Sequence, residues 1–266
     1  MKIIAVCNQK GGVGKTTTCV NVAAYIGKMG PRSLIIDLDP QGNASSGLGI
    51  NKYKVDHSIY HALIGQKDLV DIIKKSPFEN LYIAPSNRDL IGAEVELMQA
   101  YSRETKLKYA LNSVQNSFDY CFIDCPPSLN LLTVNALTAA DFVLIPVQTE
   151  YYALEGISEL LNTIQLVREN LNTDLAILGI ALTMFDSRNN LANQVVDEVR
   201  SYFKDKVFSP IVPRNVKLSE SPSHGEPILV YDAKSRGAEA YESLASEILD
   251  RLTGLQKGNL RLITNA

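Results

Sequence analysis

Seven short apolar runs rich in β-branched residues punctuate the chain: KIIAVC, SLIIDL, NLYIAP, YCFIDC, FVLIPV, LAILGIALTMF and VFSPIVP. They are continuously apolar and do not alternate with polar residues, so each strand must be covered on both faces. Amphipathic stretches lie between them and predict helices over 16–29, 103–116, 154–170, 191–203 and 238–252. A sheet fed by crossover helices satisfies that pattern, and it predicts an α/β fold with a single doubly wound, mostly parallel sheet and helices on both faces.

A chain of 266 residues, 45% hydrophobic and 21% charged, can bury one sizeable core, and no Pro-, Gly- or Ser-rich linker divides it. The expectation is one domain over 1–253 and a flexible tail over 254–266. A net charge of -3 removes any global attraction to nucleic acid, so DNA binding would need a local basic patch. The N-terminal MKIIAVCNQK has too short an apolar stretch for a signal peptide, and no run approaches the length of a membrane span, which reads as a cytoplasmic protein. Cys7, Cys19, Cys121 and Cys125 are expected to be reduced and structural. Cys121 and Cys125 flank FID on one face of a strand, too far apart for a metal pair.

The first apolar run passes directly into NQKGGVGKTT, Asn8 to Thr17. In a strand, loop, helix context its glycines let the backbone curl until successive amides face phosphate oxygens, and the following helix adds its positive end. Lys10, Gly11, Gly12, Val13, Gly14, Lys15, Thr16 and Thr17 are therefore the candidate triphosphate-binding residues. Lys15 would neutralise the β and γ oxygens, and the Thr16 hydroxyl would ligate Mg²⁺ directly. Gln9 stands where G-x-x-x-x-G-K-[ST] wants its first glycine, and Lys10 is a lysine that pattern does not require. Asp37, at the end of the run SLIID, and Asp39, just after it, face the crevice where such folds bind ligands. Asp124 ends YCFID, the position of a carboxylate that holds Mg²⁺ through water.

KGGVGKTT resembles the deviant Walker A motif of the ParA/MinD group of P-loop ATPases. The resemblance implies ATP and Mg²⁺ as cofactors and a homodimer that sandwiches ATP, with Lys10 reaching the phosphates bound by the other subunit. A second cation there would offset charge that builds up during transfer, giving Lys10 and Lys15 catalytic roles. The plainer reading is that Lys10 pairs with an acid of its own subunit. By the same resemblance, the second aspartate of DLDPQGN, Asp39, is the catalytic residue, and Asp37 supports it and Mg²⁺ through water. IDCPPS, with Pro126 and Pro127, would form a second switch loop, and Pro213 and Asn215 of PIVPRNVKLSE would contact adenine.

Over nearly its whole length the chain resembles the chromosomal ParA, or Soj, branch, as in LTMFDSRNNLANQVVDEVR and PRNVKLSESPSHGEPILVYDAKSRGAEAY. That implies a slow ATPase stimulated by a ParB-like partner, whose ATP dimer binds double-stranded DNA without sequence preference on the nucleoid. Arg188 and Lys217 fall at DNA-contacting positions; Lys217, where arginine is common, meets phosphate as a point charge. Arg200, Lys204, Lys206, Arg214 and Arg236 are further basic residues, read singly as solvated charges. A MinD-like membrane-associated positioning ATPase is the alternative. The helix over 238–252 has an acidic outer face, which argues against stable membrane association, and only Lys257 and Arg261 follow it. A metal-cluster carrier would need exposed cysteines, and a scaffold without turnover would have no use for Asp39.

Overall fold

In the computed structural model, residues 1–150 and 153–254 are described. All seven apolar runs are strands: β1 (Lys2–Val6), β2 (Ser33–Asp37), β4 (Leu81–Ala84), β5 (Tyr120–Asp124), β6 (Phe142–Gln148), β7 (Ala176–Phe185) and β8 (Val207–Pro213). An eighth, β3 (Lys74–Lys75), has two residues and pairs antiparallel with β4. It has no apolar content to betray it, and it closes one edge with lysines. The order is β3-β4-β2-β5-β1-β6-β7-β8, with every pair but β3 and β4 parallel.

The order reverses around β1, and crossovers on opposite sides give the sheet two covered faces. On one lie the helices Lys15–Lys28 and Arg236–Gly254, packed through Val22, Ile26, Tyr241, Leu244 and Ile248. On the other lie Leu90–Met98, Leu131–Ala139, Ala153–Asn170 and Asn190–Phe203, whose Leu97, Leu137, Leu160 and Val199 are buried against the sheet. Residue 254 continues the last helix, and the rest of the expected tail lies outside the described residues.

One predicted helix is shorter than expected. Over 103–116 the chain makes a single 3₁₀ turn, Arg103–Thr105, and then a helix over Lys106–Asn112. The Ser113 hydroxyl donates back to the Ala110 carbonyl, competing with the ladder where a helix would have to continue through Ser113 to Asn116.

Candidate active site

The loop after β1 is held by its neighbours before any ligand is considered. Asn8 donates its Nδ2 to the Pro146 carbonyl of β6 at 2.7 Å and accepts from the Lys10 amide at 3.0 Å. Gly12 and Gly14 have φ of 75° and 87°, which strains any side chain. Between them Val13 is buried, and its carbonyl accepts from the Thr183 hydroxyl of β7 at 2.9 Å. The helix Lys15–Lys28 starts at once, with no side-chain cap at Gly14, so its first amides remain free to meet an anion.

Lys15 is buried and folds back, donating its Nζ to the Lys10 carbonyl at 3.0 Å. Burial lowers its pKa, and the Asp124 carboxyl opposes that shift. Lys10 lies with its Nζ 3.5 Å from Glu150 Oε2. Glu150 Oε1 is also 3.5 Å from Arg214 and accepts from the Gln148 side-chain Nε2. The second lysine of the loop is thus paired within its own chain, and the acid that holds it is shared with an arginine just beyond β8.

Asp37 and Asp124 are register partners on β2 and β5, both fully buried. Asp37 Oδ2 accepts from the Ser45 amide at 2.8 Å and hydroxyl at 2.6 Å. Burial pushes its pKa up to about 6 against those hydrogen bonds. The Ser45 hydroxyl accepts in turn from the Ser86 amide at 3.0 Å, so Asp37 ties the loop after β2 to the end of β4. Asp124 differs. Among the described residues neither of its oxygens has a hydrogen-bond partner of good geometry, and burial, reinforced by Asp37, holds its carboxyl well above the usual range. The nearby Thr16 hydroxyl works in the opposite direction.

Unpartnered buried carboxylate oxygens are costly, and a cation removes that cost. The Thr16 hydroxyl and the Asp124 carboxylate form an all-oxygen donor set that suits Mg²⁺. Among the described residues no group of three His, Cys, Asp or Glu converges on a metal, so an ion there would complete its shell with phosphate and water.

Asp39 is buried beside this site and turns the chain locally, its Oδ1 accepting from the Gln41 amide at 2.9 Å. Gly42, at φ 62°, then starts the short helix Asn43–Gly47. Farther on, Gly49 and Gly225 meet backbone to backbone: a Cβ on Gly225 would lie 2.6 Å from the Gly49 Cα. Pro213 ends β8 in register with Phe185. Asn215 caps the helix Val216–Glu220 by accepting from the Lys217 amide at 2.8 Å, which leaves its own NH₂ for another partner.

Arg188 and Lys217 are both exposed and both already paired. Arg188 grips the two oxygens of Asp186 at 2.9 and 2.8 Å, and this holds the Asp186 carboxyl down to about 2. Lys217 lies 3.0 Å from Glu220 and 5.6 Å over the Tyr231 ring, and the Tyr231 hydroxyl donates to the same Glu220. Of the further basic residues, Arg200 donates to the Ser209 carbonyl and Arg214 pairs with Glu150. The cysteines are all free and buried. The near pair is Cys7 and Cys125, whose sulfurs are 2.9 Å apart because β1 and β5 are adjacent. Sequence spacing could compare only Cys121 with Cys125.

Three comparisons with known proteins bear on this site. A family model described as "AAA domain" matches residues 1–177. The sporulation initiation inhibitor protein Soj of Bacillus subtilis is 58% identical over 247 residues, covering 93% of this chain and 98% of that protein. The chromosome partitioning protein ParA of Myxococcus xanthus is 54% identical over 252 residues, 95% of this chain and 89% of the relative. Among solved structures, cobyrinic acid a,c-diamide synthase from Mycobacterium smegmatis, with bound ADP and magnesium, superposes with a TM-score of 0.85 at 35% identity, covering all of both chains.

Proposed function

Because the chain belongs to the ParA/Soj family of chromosome-partitioning ATPases, we propose that it hydrolyses ATP with Mg²⁺ and uses the ATP-bound state to hold DNA. The observation that carries the nucleotide reading is Asp124, buried with no hydrogen-bond partner of good geometry among the described residues, beside the Thr16 hydroxyl and the uncapped start of the helix Lys15–Lys28. The relative solved with ADP and magnesium supports the same ligands.

In this reading Gly11, Gly12, Val13, Gly14 and Thr17 enclose the phosphates with backbone amides, Lys15 turns from the Lys10 carbonyl to the β and γ oxygens, and Pro213 and Asn215 flank the adenine. Thr16 directly, and Asp124 and Asp37 through water, would hold Mg²⁺, which would supply positive charge to the phosphates. Asp39 orients the attacking water. Lys10 leaves Glu150 and crosses to the nucleotide of a second copy, so that closing the homodimer completes both sites. The dimer doubles a face carrying Arg188 and Lys217, and doubling phosphate contacts raises affinity steeply for a chain that is acidic overall. Phosphate contacts read no bases, so the binding is without sequence preference. A ParB-type partner stimulates hydrolysis and so releases the DNA.

The test is retention of the Asp39→Ala protein on non-specific duplex DNA and, in parallel, on anionic liposomes, each with ATP or ADP. Retention on DNA that needs ATP and falls with salt is the expected result. Retention on liposomes alone would replace this reading with a MinD-like membrane switch and remove Arg188 and Lys217 as DNA contacts.

A further inference from the structure

The helix Leu90–Met98 buries Leu90, Ala93 and Leu97 and turns its other side to solvent. That side is not polar. Ile91, Val95 and Met98 recur at i, i+4 and i+7 and are 58, 64 and 60% exposed, with Tyr101 almost fully exposed just beyond. Such spacing places the three in one line along the helix. Contiguous apolar surface of this kind, edged by charge, marks a place where another molecule binds.

The charges beside the stripe decide what that molecule is. Glu94 and Glu96 lie on this helix, Glu96 accepting from the Tyr60 hydroxyl at 2.7 Å, and the helix carries no lysine or arginine; Arg103, which donates to the Met98 carbonyl at its end, is paired with Glu104. Nucleic acid or an anionic lipid surface would meet both carboxylates with repulsion. A second copy docked across a two-fold axis would set the same two glutamates against themselves. A basic amphipathic helix satisfies both features, with its apolar side on the stripe and its Lys or Arg residues on the glutamates.

The stripe is also connected to the nucleotide site. Glu94 accepts from the Asn130 side-chain amide. Asn130 caps the helix Leu131–Ala139 by accepting from the Thr133 amide at 3.3 Å, and the Thr133 hydroxyl donates to the Ser128 carbonyl at 2.6 Å. These bonds anchor the far end of the loop that leaves β5 at Asp124.

We propose that Ile91, Val95 and Met98, flanked by Glu94 and Glu96, form the docking face for a basic amphipathic segment of a second protein, and that docking acts on the loop 125–130 through the Glu94–Asn130 bond. The proposal rests on the partition reading, in which a ParB-type partner stimulates turnover; it assigns that partner a surface.

The experiment titrates the full-length ParB-type protein of the same cell into the full chain with Mg·ATP and DNA, following phosphate release. An Ile91→Ser/Val95→Ser variant and a Glu96→Lys variant should each raise the half-maximal concentration about tenfold. Unstimulated turnover and ATP-dependent DNA retention should stay as they were. Glu94→Ala should raise the half-maximal concentration and also lower the maximal rate, because Glu94 is both a flanking charge of the face and the acceptor of the Asn130 amide. Unchanged half-maximal concentrations in both variants would overturn the docking face while leaving the partition reading intact. So would a loss confined to self-association or to liposome binding, since the occupant would then be a second copy or a membrane. If the partner does not stimulate the unaltered chain at all, the partition reading and this proposal fall together.

Discussion

Asp37 and Asp124 sit side by side at the ends of adjacent parallel strands, both buried, yet Asp37 is held by Ser45 and Asp124, among the described residues, has no hydrogen-bond partner of good geometry. The two carboxylates therefore do different work. Asp124→Ala should weaken nucleotide binding about ten- to a hundredfold in Mg²⁺ and little in EDTA. Asp37→Ala should chiefly loosen the loop that Ser45 anchors, seen as faster amide exchange over 39–49. Titrating a fluorescent ATP analogue with and without Mg²⁺ separates the two, and equal losses in both conditions for Asp124→Ala would remove it from the metal site.

Proton release should accompany Mg·ATP binding in mildly acidic solution. The pKa of Asp37 is raised to about 6 and that of Asp124 is raised well above the carboxylate range, both chiefly by burial. A carboxyl raised on folding contributes stability at low pH that is lost as pH climbs through the folded value, so the ligand-free chain should lose stability from about pH 4 toward about pH 6. A cation favours the ionised forms and reverses this. Calorimetry in two buffers of different ionisation enthalpy reads the protons released per ATP bound; zero release at pH 6 would contradict it.

Arg188 is neutralised by its own neighbour, so removing the neighbour should strengthen DNA retention. Asp186→Asn leaves the guanidinium free for phosphate and should shift the salt concentration at half-retention upward, whereas Arg188→Glu should abolish retention while ATP-dependent dimerisation persists. Retention that ignores both changes would move the patch elsewhere.

Glu150 holds Lys10 and Arg214 at the mouth of the site, each at 3.5 Å. Exposed pairs of this kind contribute about 0–1 kcal/mol, so Glu150→Gln should barely alter thermal stability. It should lower the ATP concentration needed for dimerisation, read by light scattering, because Lys10 no longer has to be detached. A rise would mean that Glu150 serves the dimer and does not restrain it.

Much of the fold was legible because continuous apolar runs admit few structures; each one became a strand, and β3 escaped because Lys74 and Lys75 carry no apolar signal. The loop 8–17, proposed to bind phosphate, could be singled out because its residues are contiguous. Long-range pairings were not: Lys10 with Glu150, Glu94 with Asn130 and Cys7 with Cys125 depend on which strands and loops the topology sets side by side. The overlong helix over 103–116 failed for a local reason, a serine that bonds its own backbone. Arg188 and Lys217 were located by resemblance, but nothing in that resemblance foretold that Asp186 and Glu220 occupy them.

The meeting of Gly49 with Gly225 gives this molecule something like a gear tooth. Two backbones in contact have no rotamers to take up slack. A shift in the chain that follows Asp39 must therefore push on the segment behind Lys217 or be stopped by it. An alanine at Gly225 would both strain a left-handed backbone and crowd the contact, whereas at Gly49 it would strain the backbone but meet the Gly225 carbonyl at an ordinary 3.5 Å, so Gly225 is the residue that must stay bare.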